Sequence, residues 1–428
     1  MFYRKLFPHR KKTLLYVLLT VGMLTACGQE QDASVFDSDS GEEAAAVLEK
    51  DFTEEVKEDT EEISKTDETT DDVPKADNAE ASDESSKVDE TVEDELKQRF
   101  GANCILEQTF EVEFSEYDGK VWFVPLVPMG AEDFHMQIIQ NEEVLTDISG
   151  YVPEELKEQE FSSLDAVAFF DVNYDNMTDI VLIETYGDTS FAAVYYGEVY
   201  THLDGLASMH FFAVEEVSDN LTSHVENLTI PAVRNFLSNG KKNGEFEDYR
   251  EAYLAIGKLK EMECGEKIGF ELVYFDEDDI PELVADHRGY FMNLYSYHDG
   301  KIYILMNEWG YGAGGNSGYE YCPGKGSVRN YDADYAGLIL YTTYWKLGDG
   351  YQLDHVVSIK FLNFIDANGN GLPDGDEEET AGYGDKSYVD GVEITWEEAN
   401  SYNMGEYEWL GSGANGMNFE ELTAALSE

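Results

Sequence analysis

The residues best suited to chemistry are acidic side chains spaced at regular intervals beside short apolar runs. The clearest set lies in the twelve residues DANGNGLPDGDE. Side-chain oxygens stand at positions 1, 3, 5, 9 and 12, glycine stands at position 6, and a backbone carbonyl is available at position 7. Such an oxygen set suits a hard divalent cation, above all calcium, and the glycine permits the sharp turn. The predicted ligands are Asp366, Asn368, Asn370, the carbonyl of Leu372, Asp374 and Glu377.

This stretch resembles the calcium loop of EF-hand proteins. Its Pro373-Asp374 ending is also similar to the loops of thrombospondin type 3 repeats and dockerins. The resemblance implies that Glu377 binds calcium with both carboxylate oxygens. Asparagine at positions 3 and 5 lowers the charge of the ligand set, which predicts a weaker site. The alternative is an acidic turn that binds no metal.

A second acidic loop, DVNYDNMTD, runs directly into the apolar run Ile180–Ile183. It resembles the DxNxDGxxD loop of FG-GAP and VCBS-type β-propeller repeats, in which an apolar strand also follows the loop. Asn176 replaces the usual glycine and still allows a left-handed backbone. Too few copies are present for a complete propeller. The resemblance implies calcium ligands at Asp171, Asn173, Asp175, Met177 and Asp179, and the alternative is again a turn without metal.

A third acidic stretch, residues 274–283 (YFDEDDIPEL), looks like a worn copy of the second. Tyr274 stands where the first aspartate should be, and Asp279 stands where the glycine should be. Both substitutions argue against metal binding, so the favoured interpretation is a structural remnant that keeps its strand. Whether this stretch binds metal is left open by the sequence.

The elements that must position these loops are short strands with turn signals between them. Alternating and continuous apolar runs from about residue 98 predict a β-rich α+β fold of antiparallel β modules with a few helices. Helices are predicted near 220–228, over 245–262, and at the C-terminus, where Asn418 with Glu421 makes a capping box. Another begins at Thr229, with Pro231 in the first turn and Asn239-Gly240 as its C-terminal stop. Asp390-Gly391 predicts the two-residue turn of a tight hairpin. We expect one β module over 98–228, with the FG-GAP-like loop. Helices and a second β module, with the EF-hand-like loop, follow over 229–428.

The N-terminus carries a targeting signal. Five basic residues precede the run Thr13–Leu24, which has no charge and is too short for a membrane span of about 20 residues. The sequence Leu24-Thr25-Ala26-Cys27 resembles the lipobox of bacterial lipoproteins. The resemblance implies that residues 1–26 are a signal peptide and that Cys27 becomes a lipidated N-terminus. The alternative is an ordinary secretion signal with a chance cysteine.

Residues 27–97 read as a disordered acidic tether. Between Gly28 and Lys97 there are 27 acidic residues and 6 lysines, too little apolar surface to offset the entropy of ordering. The whole chain has a formal net charge of −62. This charge repels phosphate backbones and anionic bilayers, so we expect no nucleic-acid partner and a membrane contact through the lipid alone.

Other chemistry has weaker signals. Cys104, Cys264 and Cys322 are far apart, which favours free thiols, with one bridge plus one free thiol as the alternative. The match to GxGxxG at 310–315 is followed by another turn-rich stretch and not by the helix that dinucleotide binding needs. Trp309 and Tyr311 lie among glycines and are the best candidates for exposed aromatic contacts to a ligand.

Three functions are consistent with these features. The favoured one is a non-enzymatic lipoprotein outside the cytoplasmic membrane, with calcium-stabilised β modules that bind an extracellular glycan or peptide. The alternatives are a secreted hydrolase of wall or dietary polymers and a structural envelope protein. The order of strands, helices and acidic loops is also similar to that of surface lipoproteins of gut clostridia, a resemblance that implies no particular activity.

Overall fold

The computed structural model describes residues 90–128, 134–201, 207–412 and 416–427. The chain divides into two units, Met1–Ala79 and Glu80–Glu428, and every described residue belongs to the second. The predicted signal peptide, Cys27 and the tether up to residue 89 lie outside the described residues. The last residues of the predicted tether are helical, because helix α1 spans Glu90–Phe100.

Two four-stranded antiparallel sheets form the first half of the described chain. The first sheet has the strand order β1-β2-β3-β4, and the second has the order β5-β6-β7-β8. The strands of the first sheet are β1 Phe110–Val112, β2 Val121–Leu126, β3 His135–Gln140 and β4 Glu143–Ser149. Those of the second are β5 Phe161–Phe170, β6 Asp179–Tyr186, β7 Thr189–Thr201 and β8 Ala207–Ala213.

Three helices follow, and local signals fix their ends. They are α2 Glu215–His224, α3 Ile230–Ser238 and α4 Tyr249–Cys264. The Thr229 hydroxyl caps α3, and Asn239 ends it in the left-handed conformation, as the sequence predicts. Helix α2 begins at Glu215, earlier than the predicted 220, because no strong capping residue marks its start. In the described residues, no helix combines the length and the apolar character needed to cross a bilayer.

The third and fourth sheets complete the fold. The third has the order β12-β11-β10-β9, and the fourth has seven strands in the order β18-β17-β16-β15-β14-β13-β19. Strands of the third sheet are β9 Ile268–Val273, β10 Glu282–His287, β11 Phe291–His298 and β12 Lys301–Gly310. Those of the fourth are β13 Gly318–Cys322, β14 Ser327–Asp334, β15 Ile339–Leu347, β16 Leu353–Leu362, β17 Lys386–Val389, β18 Val392–Ile394 and β19 Glu408–Leu410. The remaining helices are α5 Trp396–Asn400 and α6 Phe419–Leu426.

These elements stack as layers, with the helices in the middle. Strand β6 is buried on both faces: Ile180 and Leu182 pack toward the first sheet, and Val181 and Ile183 pack toward the helices. Strand β10 does the same between the helices and the fourth sheet. The continuous apolar runs of these strands follow from this two-sided burial. One core joins the second sheet, helices α2, α3, α4 and α6, and the third sheet, so it contains residues from both sides of the boundary predicted at 228.

The prediction of a β-rich α+β fold with antiparallel sheets and a few helices is confirmed. Several local predictions are confirmed with it. Asp390 and Gly391 form a tight turn with positive φ angles of 49° and 78°. Asn418 and Glu421 make a reciprocal capping box at the start of α6. Cys104, Cys264 and Cys322 are free thiols, the first and last of them buried.

Candidate metal centre

Two of the three acidic loops occupy equivalent places in equivalent sheets. Residues 171–178 join the first two strands of the second sheet, and residues 274–281 join the first two strands of the third sheet. Each connection has eight residues, and each sheet continues as a meander of four antiparallel strands. The third stretch of the sequence analysis is therefore a structural counterpart of the second.

The two loops are also folded by the same hydrogen bonds. The N–H of Val172 donates to Asp179 Oδ2 at 2.6 Å, and the N–H of Phe275 donates to Glu282 Oε2 at 2.8 Å. A shared ladder of side-chain to backbone bonds follows inside each loop. In the first loop, Asp175 N donates to Asn173 Oδ1 and Met177 N donates to Asp175 Oδ1; in the other, Asp278 N donates to Asp276 Oδ1 and Ile280 N donates to Asp278 Oδ1.

The later loop brings three carboxylates together. Ligand oxygens of Asp276, Asp278 and Glu282 lie within 4.8 Å of one another, and within the described ranges this is the one such group of three acidic, histidine or cysteine side chains. Glu282 is 1% exposed. Burial raises its pKa to about 8, opposed by the Phe275 N–H and reinforced by the charges of Asp276 and Asp278. Three mutually repelling carboxylates, one of them buried, form a group that could hold a metal ion.

Side-chain length explains why this loop clusters its acids and the earlier one does not. Asp179 uses both oxygens on backbone N–H groups, those of Val172 and Gly197. Glu282 is one methylene longer: its Oε2 accepts the Phe275 N–H at 2.8 Å, and its Oε1 accepts the Ser296 hydroxyl at 3.4 Å. One Glu282 oxygen nevertheless lies within 4.8 Å of ligand oxygens of Asp276 and Asp278. In the sequence, Asp276, Asp278 and Glu282 occupy positions 3, 5 and 9 of the FG-GAP-like motif and indicate metal binding. Tyr274 at position 1 argues against it, and the prediction from the sequence gave that residue more weight.

The cluster opens into a broad cleft of about 810 Å³ between the third and fourth sheets. The loop docks on the β13–β14 turn, where Gly324 N donates to the Tyr274 carbonyl and Gly326 N donates to the Phe275 carbonyl. The ring of Tyr351 lies 4.5 Å from that of His298, which also borders the cleft. Both charge signs occur on the walls, which are lined by Asp276, Glu277, Asp278, His298, Lys325, Lys346, Asp349 and Tyr351.

The FG-GAP-like loop keeps its predicted backbone but holds its acids differently. Asn176 has a φ of 63°, the left-handed conformation expected where the motif has glycine. Asp171 Oδ2 accepts the Asn176 N–H, and its Oδ1 is shielded from solvent without a hydrogen-bond partner. Burial, and then the charge of Asp175, raise the pKa of Asp171 to about 7. Burial is also the main cause that raises the pKa of Asp175 and, much further, that of Asp179.

The EF-hand-like loop is closed by its own hydrogen bonds. Asp366 accepts the N–H groups of Gly369 and Gly371, and Glu377 accepts those of Ala367, Asn368 and Asp374. The amide groups of Asn368 and Asn370 donate to the two oxygens of Asp374, at 2.9 and 2.8 Å. A cation in this loop would have to compete with these donors. The roles predicted for Asp366, Asn368, Asn370, Leu372, Asp374 and Glu377 stay predictions.

Trp309 and Tyr311 are half-buried, so the expectation that they are exposed is wrong. The ring of Trp309 packs against that of Trp345 in the core between the third and fourth sheets, with 4.9 Å between the ring centroids. The Tyr311 hydroxyl donates to Asp286 Oδ1 at 2.7 Å. The loop at 312–315 is itself exposed, but Trp309 and Tyr311 pack against the core between the third and fourth sheets. A ligand-binding role for them stays a prediction, and neither lines the cleft beside Asp276.

No family model and no curated protein matches this chain. The carboxylate geometry and the motifs in the sequence are therefore the observations that bear on function.

Proposed function

We propose that this chain is an extracytoplasmic protein that is held to the membrane by a lipid on Cys27, is stabilised by calcium in its acidic loops, and binds an extracellular ligand. The apolar leader and the lipobox-like sequence support a location outside the cytoplasm and a lipid on Cys27. The high negative net charge supports attraction of cations to the acidic loops. The convergence of Asp276, Asp278 and Glu282 carries the calcium part of the proposal.

The donor chemistry favours calcium among metal ions. All three side chains offer carboxylate oxygens, the ligands of hard cations, without a histidine or cysteine that would favour zinc or copper. Asp276 and Asp278 reach solvent, so an ion can enter without unfolding of the sheet. Calcium accepts irregular coordination with several waters, whereas magnesium demands a regular octahedron. Asp276, Asp278 and Glu282 would hold the ion, which would supply positive charge to the wall of the cleft.

The cleft beside the cluster is the part of the described surface that best suits the ligand. Its walls combine the aromatic rings of Tyr351 and His298 with carboxylates and the ammonium groups of Lys325 and Lys346. Aromatic rings together with charged hydrogen-bonding groups suit the hydroxyls and C–H faces of a sugar better than an apolar peptide side chain. A glycan is therefore the ligand class that we favour.

Calorimetric calcium titration of the purified full chain tests the proposal. The double variant Asp276→Asn/Asp278→Asn should lose one binding site, because two of its three carboxylates become weaker amide ligands. Glu277→Gln/Asp279→Asn is the matched control: it also removes two negative charges from the same loop, but both residues lie outside the cluster. Equal calcium stoichiometry and affinity in wild type and double variant would overturn the calcium proposal for this loop.

A glycan array with the same proteins tests the ligand. Tyr351→Ala should reduce binding of any glycan that the wild-type protein retains, and Trp409→Ala serves as a control because its exposed ring lies outside the cleft. A wild-type chain that retains no glycan on the array, with calcium present, contradicts this part of the proposal.

A further inference from the structure

The EF-hand-like loop contains two exposed asparagines that are each followed by glycine, in the pairs Asn368-Gly369 and Asn370-Gly371. We propose that this loop deamidates itself: at each pair the glycine nitrogen attacks the asparagine side chain, and the carboxylate of Asp366 takes the proton from that nitrogen. This modification goes beyond the proposed function, and its chemistry requires no metal.

Asp366 is bound to both attacking nitrogens. Its Oδ1 accepts the Gly369 N–H at 2.8 Å, and its Oδ2 accepts the Gly371 N–H at 3.1 Å. A carboxylate that already holds the proton to be removed is placed as a general base. Glycine has no side chain beside its nitrogen, so the approach to the asparagine is not hindered. One acid thus serves both Asn-Gly pairs.

The asparagine side chains are folded toward these nitrogens. Asn368 Oδ1 accepts the Asn370 N–H at 2.9 Å, and Asn370 Oδ1 accepts the Leu372 N–H at 2.8 Å. Each contact is an Asx turn, in which the side chain reaches over the next peptide group to the N–H two residues on. The turn brings the side-chain carbonyl carbon toward the intervening glycine nitrogen, and its N–H stabilises the charge that develops on the oxygen during attack.

The reaction balances with water as co-reactant. The glycine nitrogen forms a bond to the side-chain carbonyl carbon and gives its proton to Asp366. The bond between that carbon and the amide nitrogen then breaks, and the amide nitrogen leaves as ammonia with the proton from Asp366. Water opens the resulting succinimide to aspartate or isoaspartate, so the carboxylate of Asp366 is regenerated.

Asn243-Gly244 is the same dipeptide in a different setting. The side chain of Asn243 is paired with the backbone of Ile302: its Oδ1 accepts the N–H at 2.8 Å, and its amide donates to the carbonyl at 3.3 Å. The Gly244 N–H donates to the Gly300 carbonyl, a much weaker base than a carboxylate. Because its side chain is held by another strand, this pair should persist while the loop reacts.

Deamidation changes the contact that closes the loop. The amides of Asn368 and Asn370 donate to the two oxygens of Asp374, at 2.9 and 2.8 Å. Each reaction replaces one of these donors by a carboxylate, so a hydrogen bond becomes repulsion between like charges. The modified loop should open, and a glutamate-specific protease should then cleave faster after Glu377, which is buried in the closed loop.

Peptide mapping by mass spectrometry tests the reaction on the purified full chain, incubated in chelator at physiological pH and temperature. Conversion of the amide should appear at Asn368 and Asn370 before it appears at Asn243. Asp366→Ala should slow both loop sites by about tenfold or more, because the base is lost. Asp374→Ala is the matched control: it also removes one charge and two hydrogen bonds from the loop, but it should not slow conversion.

Three results would overturn the inference. Conversion at Asn243 as fast as in the loop would show that the loop geometry gives no acceleration, and this comparison needs no variant. A rate in Asp366→Ala equal to or above that of the wild type would remove Asp366 as the base. Unchanged protease cleavage after Glu377 in Asn368→Asp/Asn370→Asp, which carries both product carboxylates, would contradict the opening of the loop. Chelator keeps the calcium proposal out of all three results.

Discussion

Asp179 and Glu282 stand at equivalent positions in two sheets on opposite sides of the helical layer. Each begins the second strand of its sheet, and each accepts the N–H of the residue that follows the first position of the preceding loop. They differ by one methylene. Asp179 is consumed by backbone donors, whereas Glu282 keeps an oxygen beside Asp276 and Asp278. The same backbone thus carries one loop that clusters its own acids and one whose last acid is bound by two backbone N–H groups.

Calcium should raise the melting temperature of the full chain. A site with a dissociation constant in the extracellular range of about 0.1–1 mM adds roughly 1.4 kcal/mol at ten times that concentration. We expect a rise of about 2–5 °C per such site when millimolar calcium replaces chelator, and a smaller rise with magnesium. Asp276→Asn/Asp278→Asn should remove a large part of the rise in differential scanning calorimetry. Identical melting curves in chelator and calcium would contradict the calcium proposal.

Glu184 should make the protein more stable at low pH than at high pH. It is fully buried on β6, both its oxygens lack a hydrogen-bond partner, and burial raises its pKa well above the usual value. At pH values between the pKa of Glu184 in the unfolded state and its higher pKa in the folded state, Glu184 carries a proton in the folded state but not in the unfolded state. The free energy of unfolding therefore falls as pH rises above about 4.5, by up to ~1.4 kcal/mol per pH unit for this group.

Glu184→Gln should remove this component of the pH dependence and raise stability at pH 7, because the amide has no charge to desolvate. Urea unfolding at pH 5 and pH 8 measures the effect, with Glu158→Gln, an exposed acid, as the control. A variant with the same difference between the two pH values as the wild type would show that Glu184 does not titrate as its burial predicts.

Asp286 should be essential for the stability of the C-terminal segment. It is 1% exposed and accepts the Tyr311 hydroxyl at 2.7 Å and both the N–H and the hydroxyl of Ser412 at 3.0 Å. Asp286→Ala leaves these donors without an acceptor, and we expect a loss of about 3 kcal/mol in the free energy of unfolding. Chemical denaturation measures this loss. Asp118→Ala, at an exposed turn, is the control and should change the free energy of unfolding by no more than about 0.5 kcal/mol, the usual range for surface substitutions. Equal losses in both variants would contradict the assignment.

Cys27 should determine membrane association. A lipid on this residue would gain about 0.8 kcal/mol per buried methylene, whereas the net negative charge of the chain would only repel an anionic bilayer. Cys27→Ser should leave the chain unprocessed or release it to the soluble fraction on membrane fractionation. Ala26→Gly, which keeps a small residue before the cysteine, is the control. Unchanged processing and membrane association of Cys27→Ser would argue for an ordinary secretion signal.

The local geometry of this protein was readable from its sequence. The cap of Thr229, the turn at Asp390 and Gly391, and the left-handed Asn176 each depend on hydrogen bonds and backbone angles within a few residues. The continuous apolar run of β6 also indicates that this strand is buried on both faces. Such features are determined by residues that are close together along the chain, so they can be predicted from the sequence alone.

Only the tertiary structure decided which acids meet. The sequence ranked the loop at Asp366 first and the one at Asp276 last, whereas the carboxylates converge in the latter. That outcome depends on the reach of Glu282 and on what its second oxygen contacts. Glu116 and Thr178 are brought together by the packing of two sheets across 62 residues, and no local pattern encodes that distance. The sequence also predicts an exposed Trp309. This prediction fails because the cover comes from Trp345 on another sheet, and a sequence does not show which sheets pack together. The sequence gives the length of each side chain, but the packing of the sheets decides which side chains that length can bring together.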